Sequence, residues 1–226
     1  MLPTILAVLL NVAVFCVKCV ALAAFVSLAD RGLAAIAPAG SLPRRLFAAV
    51  AIVAYPAYVV ATWAGVVFAI ACVNWWAVLL ADEDGNLPRP LRWFQTFDAS
   101  IDAGWKDGYF PADWGRTPGM RYVARVLWLL RNPAYGVDYW LFGLTFNASS
   151  WRVLANVERD DLVLFFALGN GLNLYYHGRF GEAKLGWKAW NYWQGNAWRD
   201  TPWGPVWRVP VCATYNPFKR RVSSAT

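Results

Sequence analysis

The sequence predicts an α+β membrane protein: N-terminal transmembrane helices followed by a Trp-rich domain that carries an amphipathic helix and an antiparallel β-meander. Three observations predict this. The composition is 58% hydrophobic and only 15% charged over 226 residues, which is too apolar for an ordinary soluble fold. Up to Ala81 the charged residues are Lys18, Arg31, Arg44, Arg45 and Asp30 alone. From Trp151 onward the apolar residues fall into short runs divided by turn formers, as in strands joined by hairpins. The expected organisation is a membrane-embedded helical region over 1–81 and a membrane-proximal domain over 82–226. The latter divides into a junction (82–118), a helical part (119–150), a meander (151–190) and an irregular tail (191–226).

The first span is read from Ile5 to Leu28, which is apolar apart from Asn11, Lys18 and Ser27. At 1.5 Å per residue it is long enough to cross a hydrocarbon core of about 30 Å. A cleaved signal peptide is the competing reading, but no Lys or Arg precedes Lys18 to form a basic n-region. Lys18 is an intramembrane polar residue that either snorkels or meets a partner within the helical bundle. Leu46 to Ala81 is apolar again, interrupted only by Thr62 and Asn74, the second intramembrane polar residue. This stretch is too long for one crossing and barely enough for two. It forms either one span near Trp63–Leu80 with an interfacial lead-in, or a hairpin broken with the help of Pro56 and Gly65. Three arginines in the 30–45 connection favour placing that loop in the cytoplasm, and a basic amphipathic segment further on favours a cytoplasmic C-terminal domain.

The junction from Ala81 to Pro111 holds the densest run of carboxylates: Asp82, Glu83, Asp84, Asp98, Asp102 and Asp107, with Asp113 just beyond. Clustered carboxylates suit hard cations, which makes Asp98 and Asp102 weak metal candidates. The spacing is not that of an EF-hand, so a solvated loop with Asx turns is the stronger expectation. Pro88 and Pro90 stop helical continuation, while Trp93 and Phe94 are expected at the membrane interface, where aromatic rings concentrate.

Met120 to Arg131 has Arg121 and Arg125 four apart, with Tyr122, Val123, Val126, Leu127 and Leu130 on the other side. This is a helix with a narrow basic stripe, stopped by Asn132-Pro133. One reading lays it in the interface, with Arg121, Arg125 and Trp128 at headgroup level; the other makes it a core helix. Four strand-like runs follow at 151–157, 162–168, 172–180 and 183–190, and Asn170-Gly171 suggests a type I′ hairpin turn. The tail adds aromatic residues among Pro and Gly and ends in Lys219-Arg220-Arg221.

No catalytic constellation accompanies these elements. His177 is the single histidine, and no nucleophile elbow is present to pair with it. Cys16-Val-Lys-Cys19 has no second ligand pair for a metal. Asn147-Ala-Ser149 matches a glycosylation sequon. Trp187, Trp190, Tyr192, Trp193, Trp198, Trp203 and Trp207 either stack on sugar rings, sit at a lipid interface, or form the core of a small β domain. The basic residues form no concentrated stripe of the kind that binds nucleic acid, and their modest excess suits anionic lipid headgroups. The protein is expected to be non-enzymatic and to need no cofactor.

The stretch 80–98 (Leu-Ala-Asp-Glu-Asp-Gly-Asn-Leu-Pro-Arg-Pro-Leu-Arg-Trp-Phe-Gln-Thr-Phe-Asp), the block from Trp128 through Arg131-Asn132-Pro133-Ala134-Tyr135 to Gly136, and Leu185-Gly186-Trp187-Lys188 together resemble an uncharacterised family of small tailed-phage and prophage membrane proteins. Phe97 stands where that family's acidic turn carries Pro. The resemblance covers most of residues 75–190 and implies a phage origin and a location in the host bacterial inner membrane. The function expected is that of a multi-pass accessory protein whose partners are the bilayer and either another protein or a second copy met through the membrane helices. Superinfection exclusion or modulation of a host membrane process fits. The alternatives are a lysis-related holin or antiholin, whose polar tails are usually shorter, and a membrane-tethered glycan binder or hydrolase.

Overall fold

The computed structural model describes residues 2–95, 100–131, 133–194, 196–198 and 207–221. Its helices are α1 (Leu2–Ile36), α2 (Leu42–Val53), α3 (Tyr55–Phe68), α4 (Asn74–Ala77), α5 (Ala103–Lys106) and α6 (Pro118–Arg131). Its strands are β1 (Leu144–Phe146), β2 (Arg152–Arg159), β3 (Leu162–Leu168), β4 (Leu172–Gly178), β5 (Gly181–Trp187), β6 (Trp193–Gln194), β7 (Ala197–Trp198), β8 (Trp207–Val209) and β9 (Val211–Asn216). The fold is α+β, with a long apolar N-terminal helix and an antiparallel sheet.

Two compact units emerge, one built from 1–61 with 141–226 and the other from 62–140. A boundary at residue 81 is thus not where the units part. Long-range pairing decides this: the β residues close onto the first helices, while the junction closes onto α6.

Within the first unit, five strands run in the order β2-β3-β4-β5-β9, every neighbour antiparallel. The meander expected over 151–190 is β2 to β5, with a bulge in β2 between Val153 and Ala155. The tail is not irregular throughout. β9 completes the sheet against β5, and β8 pairs with β1. Its Pro and Gly content hid these strands, since edge strands tolerate residues that break central ones. β1 likewise interrupts the stretch 119–150 that was expected to be helical.

Leu168 pairs with Leu172, so the hairpin at Asn170 exists, but its turn is not type I′. Neither Asn170 nor Gly171 has the positive φ that turn requires. The glycines serve close approach instead. A Cβ on Gly169 would lie 2.4 Å from the Trp151 ring, and one on Gly171 2.6 Å from the Trp187 ring.

Trp187 is fully buried at the centre of this unit. It meets Tyr58 edge-on at 5.0 Å and Tyr55 at 5.6 Å, and its indole N–H donates to the Phe142 carbonyl at 3.2 Å. Phe146, Trp151, Phe165, Trp193 and Trp198 form a second aromatic cluster.

The apolar stretch from Leu46 does not break at Gly65, which lies inside α3. It breaks at Ala54, one residue between α2 and α3. Pro56 has no N–H to offer the carbonyl four residues back, and it is tolerated in the first turn of α3 for the same reason. Beyond α3, Ala69–Val73 forms a π-helical turn leading into α4.

The second unit is centred on Val73, Ala77, Val78, Leu87, Ile101, Ala103, Val126, Trp128 and Leu129. α6 supplies its apolar face to this core. The junction folds back on itself: the Asp82 carboxylate accepts the Asn86 N–H at 2.7 Å, and the Gln95 side chain accepts the Leu87 N–H at 2.8 Å.

Candidate functional site

Among the described residues, two helical stretches, Pro3–Ile36 and Tyr55–Leu80, are long and apolar enough to cross a membrane by length and composition. α1 is the more unusual. Its 35 residues extend about 52 Å, and in its first half apolar side chains are exposed on every side. Leu6 is 67% and Val17 68% exposed, as are Ile5, Leu9, Leu10 and Phe15 to similar degrees. A soluble helix shows one apolar stripe and one polar face; this one shows no polar face. Lys18 is exposed on it, and no described residue pairs with it.

The other half of α1 is seated by a buried carboxylate. Asp30 has no exposed surface. One of its oxygens accepts from Arg44 Nη1 on α2 at 3.2 Å and from Asn170 Nδ2 at 2.9 Å. The other accepts from the Thr145 backbone N–H at 2.6 Å and from the Thr145 hydroxyl. Asn170 Nδ2 also donates to the Thr145 carbonyl at 2.7 Å, and Arg44 to the Asp30 carbonyl at 3.1 Å. A carboxylate removed from water is costly unless paired and hydrogen-bonded. Here both oxygens are saturated, so α1, α2, β1 and the β3–β4 turn are held in one arrangement. One helical turn earlier, Ser27 shares a hydrogen bond of 2.8 Å with Tyr58. The Tyr55 hydroxyl donates to the Cys212 carbonyl at 2.6 Å and accepts the Gly186 N–H at 2.8 Å. Gly186, with φ +86° and a Cβ position 2.1 Å from the Leu172 carbonyl oxygen, leaves no room for a side chain.

In the second unit the anticipated basic stripe is divided. Arg121 is exposed and donates to the Gly115 carbonyl at 2.8 Å. Arg125 is buried, with Nε 2.6 Å from one Asp102 oxygen and Nη2 3.2 Å from the other. Trp128 is also buried. Arg125 and Trp128 therefore belong to the core of the unit and not to an outward interfacial face. A bidentate carboxylate lets an arginine enter a core that its charge alone would forbid.

Asp102 is likewise committed to Arg125, with Lys106 3.4 Å away, and among the described residues no group of acidic, His or Cys side chains is placed to hold a metal. Asp98 lies outside the described residues. Trp93 is exposed, and Phe94 is half-buried against Phe68 at 6.1 Å. Asn74 is fully buried and donates to the Leu129 carbonyl at 3.3 Å.

His177 is a half-buried strand residue opposite Val163 and Glu182. Cys16 and Cys19 are free thiols. The Asn147 side chain caps a short helical turn through the Ser149 N–H at 2.9 Å. Among the aromatics read as sugar-stacking, interfacial or core, Trp187 is core, Trp190 stacks on Tyr175 at 5.4 Å, and Trp193 and Trp198 pack on each other at 4.9 Å. Trp203 lies outside the described residues.

Nothing in the local sequence marks Thr145 as a partner of Asp30, and Asn170 reads there only as a turn residue. The one available signal was that Asp30 is the sole carboxylate among the first 81 residues. A single acid in so apolar a stretch demands a partner.

Gly136 has room for no side chain, since its Cβ would meet the Arg92 and Trp93 carbonyl oxygens at 2.6 and 2.7 Å. Gly136 is thereby packed directly on the backbone of Arg92 and Trp93. The chain matches no curated protein and no solved structure. The profile of a family of unknown function (DUF7338) matches residues 47–223, which contain the whole sheet, Arg125 and the Thr145 and Asn170 partners of Asp30. The chain therefore belongs to this family of unknown function, DUF7338.

Proposed function

We propose that the protein is a phage-encoded, non-enzymatic accessory protein of the bacterial inner membrane, in which α1 and the Tyr55–Leu80 stretch enter the bilayer and the sheet stands outside it to meet a protein partner. The observation that carries this reading is the first half of α1, apolar and exposed on all sides. In water such a helix would leave many large aliphatic side chains hydrated, at about 25 cal/mol per Å² of apolar surface. In a hydrocarbon core the same surface is at no disadvantage, and every backbone group is satisfied within the helix. The Asp30 joint then transmits the orientation of the span to the sheet.

Fractionation of cells producing the full chain tests the anchoring. Retention in the membrane fraction after alkaline carbonate washing is expected, and release into the supernatant would overturn it. Reporter fusions after Pro111 and at Thr226 fix the compartment, with a cytoplasmic signal expected at both. Challenge with related phage tests exclusion: a fall in plaque number relative to cells lacking the protein is expected, and unchanged plaque counts and DNA entry count against that role.

A further inference from the structure

The end of the sheet away from Asn170 carries a feature that the anchoring reading does not use. The β2–β3 turn, the β4–β5 turn and the segment after β9 gather there around a cavity of about 490 Å³. Its lining includes Arg159, Arg179 and Arg221 against one carboxylate, Asp161. We propose that this cavity binds a phosphoryl group, carried by a small water-soluble ligand or by a lipid headgroup.

Each cation is held in a way that leaves it donors. Arg159 pairs with Asp161 at 3.3 Å, but both are more than half exposed, so the pair is weak and its remaining N–H groups stay available. The Arg179 guanidinium carbon lies 4.5 Å from the centre of the Phe180 ring, and a contact with an aromatic ring uses none of the N–H donors that an anion would take. The Arg221 backbone N–H is tied to the Gly178 carbonyl at 3.1 Å, which fixes its root on the sheet.

Tyr176 supplies a neutral donor. Its oxygen accepts the Phe180 N–H at 3.4 Å, so its own O–H proton is available to a ligand. Three arginines beside one acid repel one another, and a dianion removes that repulsion while using planar, bidentate donors. Phe180, largely exposed, offers an apolar edge for the organic part of the ligand. Because the strands between the two ends are about seven residues, or roughly 23 Å, long, the cavity is well separated from the joint that seats α1. This favours the soluble source over the headgroup.

The test is calorimetric titration of the full chain in neutral detergent micelles with inorganic phosphate and with pyrophosphate, alongside binding to vesicles of phosphatidylcholine with and without phosphatidylglycerol. Saturable binding of pyrophosphate that weakens with salt is expected. Loss of one charge-assisted bond in R179A or R221A should lower that affinity by about tenfold each, with R179K intermediate. Pyrophosphate binding without preference for phosphatidylglycerol assigns the soluble source, and a preference lost in the R179A/R221A double variant assigns the headgroup. Arg179 is exposed and Arg221 half-buried outside the core, so unchanged thermal unfolding is expected for each variant. Absence of saturable binding in all arms, or equal binding by wild type and a folded R179A/R221A variant, overturns the proposal.

Discussion

Thr145 donates both its backbone N–H and its hydroxyl to one oxygen of Asp30, a residue 115 positions earlier in the chain. The other oxygen is taken by Arg44 and Asn170. A carboxylate with this many donors in a dry setting is worth more as a joint than as an acid, because removing any partner leaves a buried charge or dipole uncompensated.

Asp30→Ala is therefore expected to cost about 3–5 kcal/mol, since it leaves Arg44 buried and unpaired. Asp30→Asn should cost less, because the amide oxygen still accepts. Denaturant unfolding of the detergent-solubilised protein, followed by Trp fluorescence, ranks the two. Equal stability of Asp30→Ala and wild type would refute the joint.

Asn170→Ala should cost about 1–3 kcal/mol through two lost hydrogen bonds. Gly171→Ala should cost a similar about 1–3 kcal/mol through a different route, by pushing a methyl group into the Trp187 ring. The two effects separate in near-UV circular dichroism. Only Gly171→Ala is expected to change the Trp187 environment directly.

In the second unit, Arg125→Ala should destabilise by about 3–5 kcal/mol, while the apolar pair Asp102→Leu with Arg125→Met should recover most of that loss. Limited proteolysis in the junction 82–118 reads this out. A double variant no better than the single one would argue against a simple exchange of charge pair for packing.

Glu182 governs a pH dependence. Burial by itself raises its pKa, but hydrogen bonds and attraction from Lys184 at 3.2 Å and Lys219 at 3.3 Å outweigh this and hold it below the ordinary carboxylate value. The stability it contributes is therefore present above the unfolded carboxylate pKa and is lost as pH falls through the lowered folded value. Glu182→Gln should flatten the acid limb of the thermal stability curve and leave its neutral shape intact. Melting curves across acidic to neutral pH check this.

Leu10→Arg places a charge on the fully exposed apolar half of α1. If that half lies in hydrocarbon, insertion becomes less favourable by about 2.5–3.5 kcal/mol near a span centre. The variant should appear in the carbonate-soluble fraction in measurably greater amount than wild type, whereas Met120→Arg, also at an exposed site, should not.

What the sequence determined by itself is whatever depends on composition and local period. The apolar length of the first helix follows from residues 5–28, which are apolar apart from Asn11, Lys18 and Ser27, the strands follow from short apolar runs divided by turn formers, and α6 follows from its 3.6-residue pattern and the following Asn-Pro. Only the tertiary structure decided which charges go inside. Arg121 and Arg125 look equivalent in the sequence, yet one reaches a carbonyl six residues back and the other a carboxylate 23 residues away. Asp30 stands in the sequence as a lone charge beside an apolar stretch and is a saturated joint in the fold, because Thr145 on β1 and Asn170 in the β3–β4 turn arrive from more than a hundred residues away. The Gly169-Asn170-Gly171 turn was legible as a turn but not as the seat of Trp151 and Trp187. Local preference is set by each residue's own backbone and neighbours, whereas burial of a charge depends on partners that the chain must first fold to bring together.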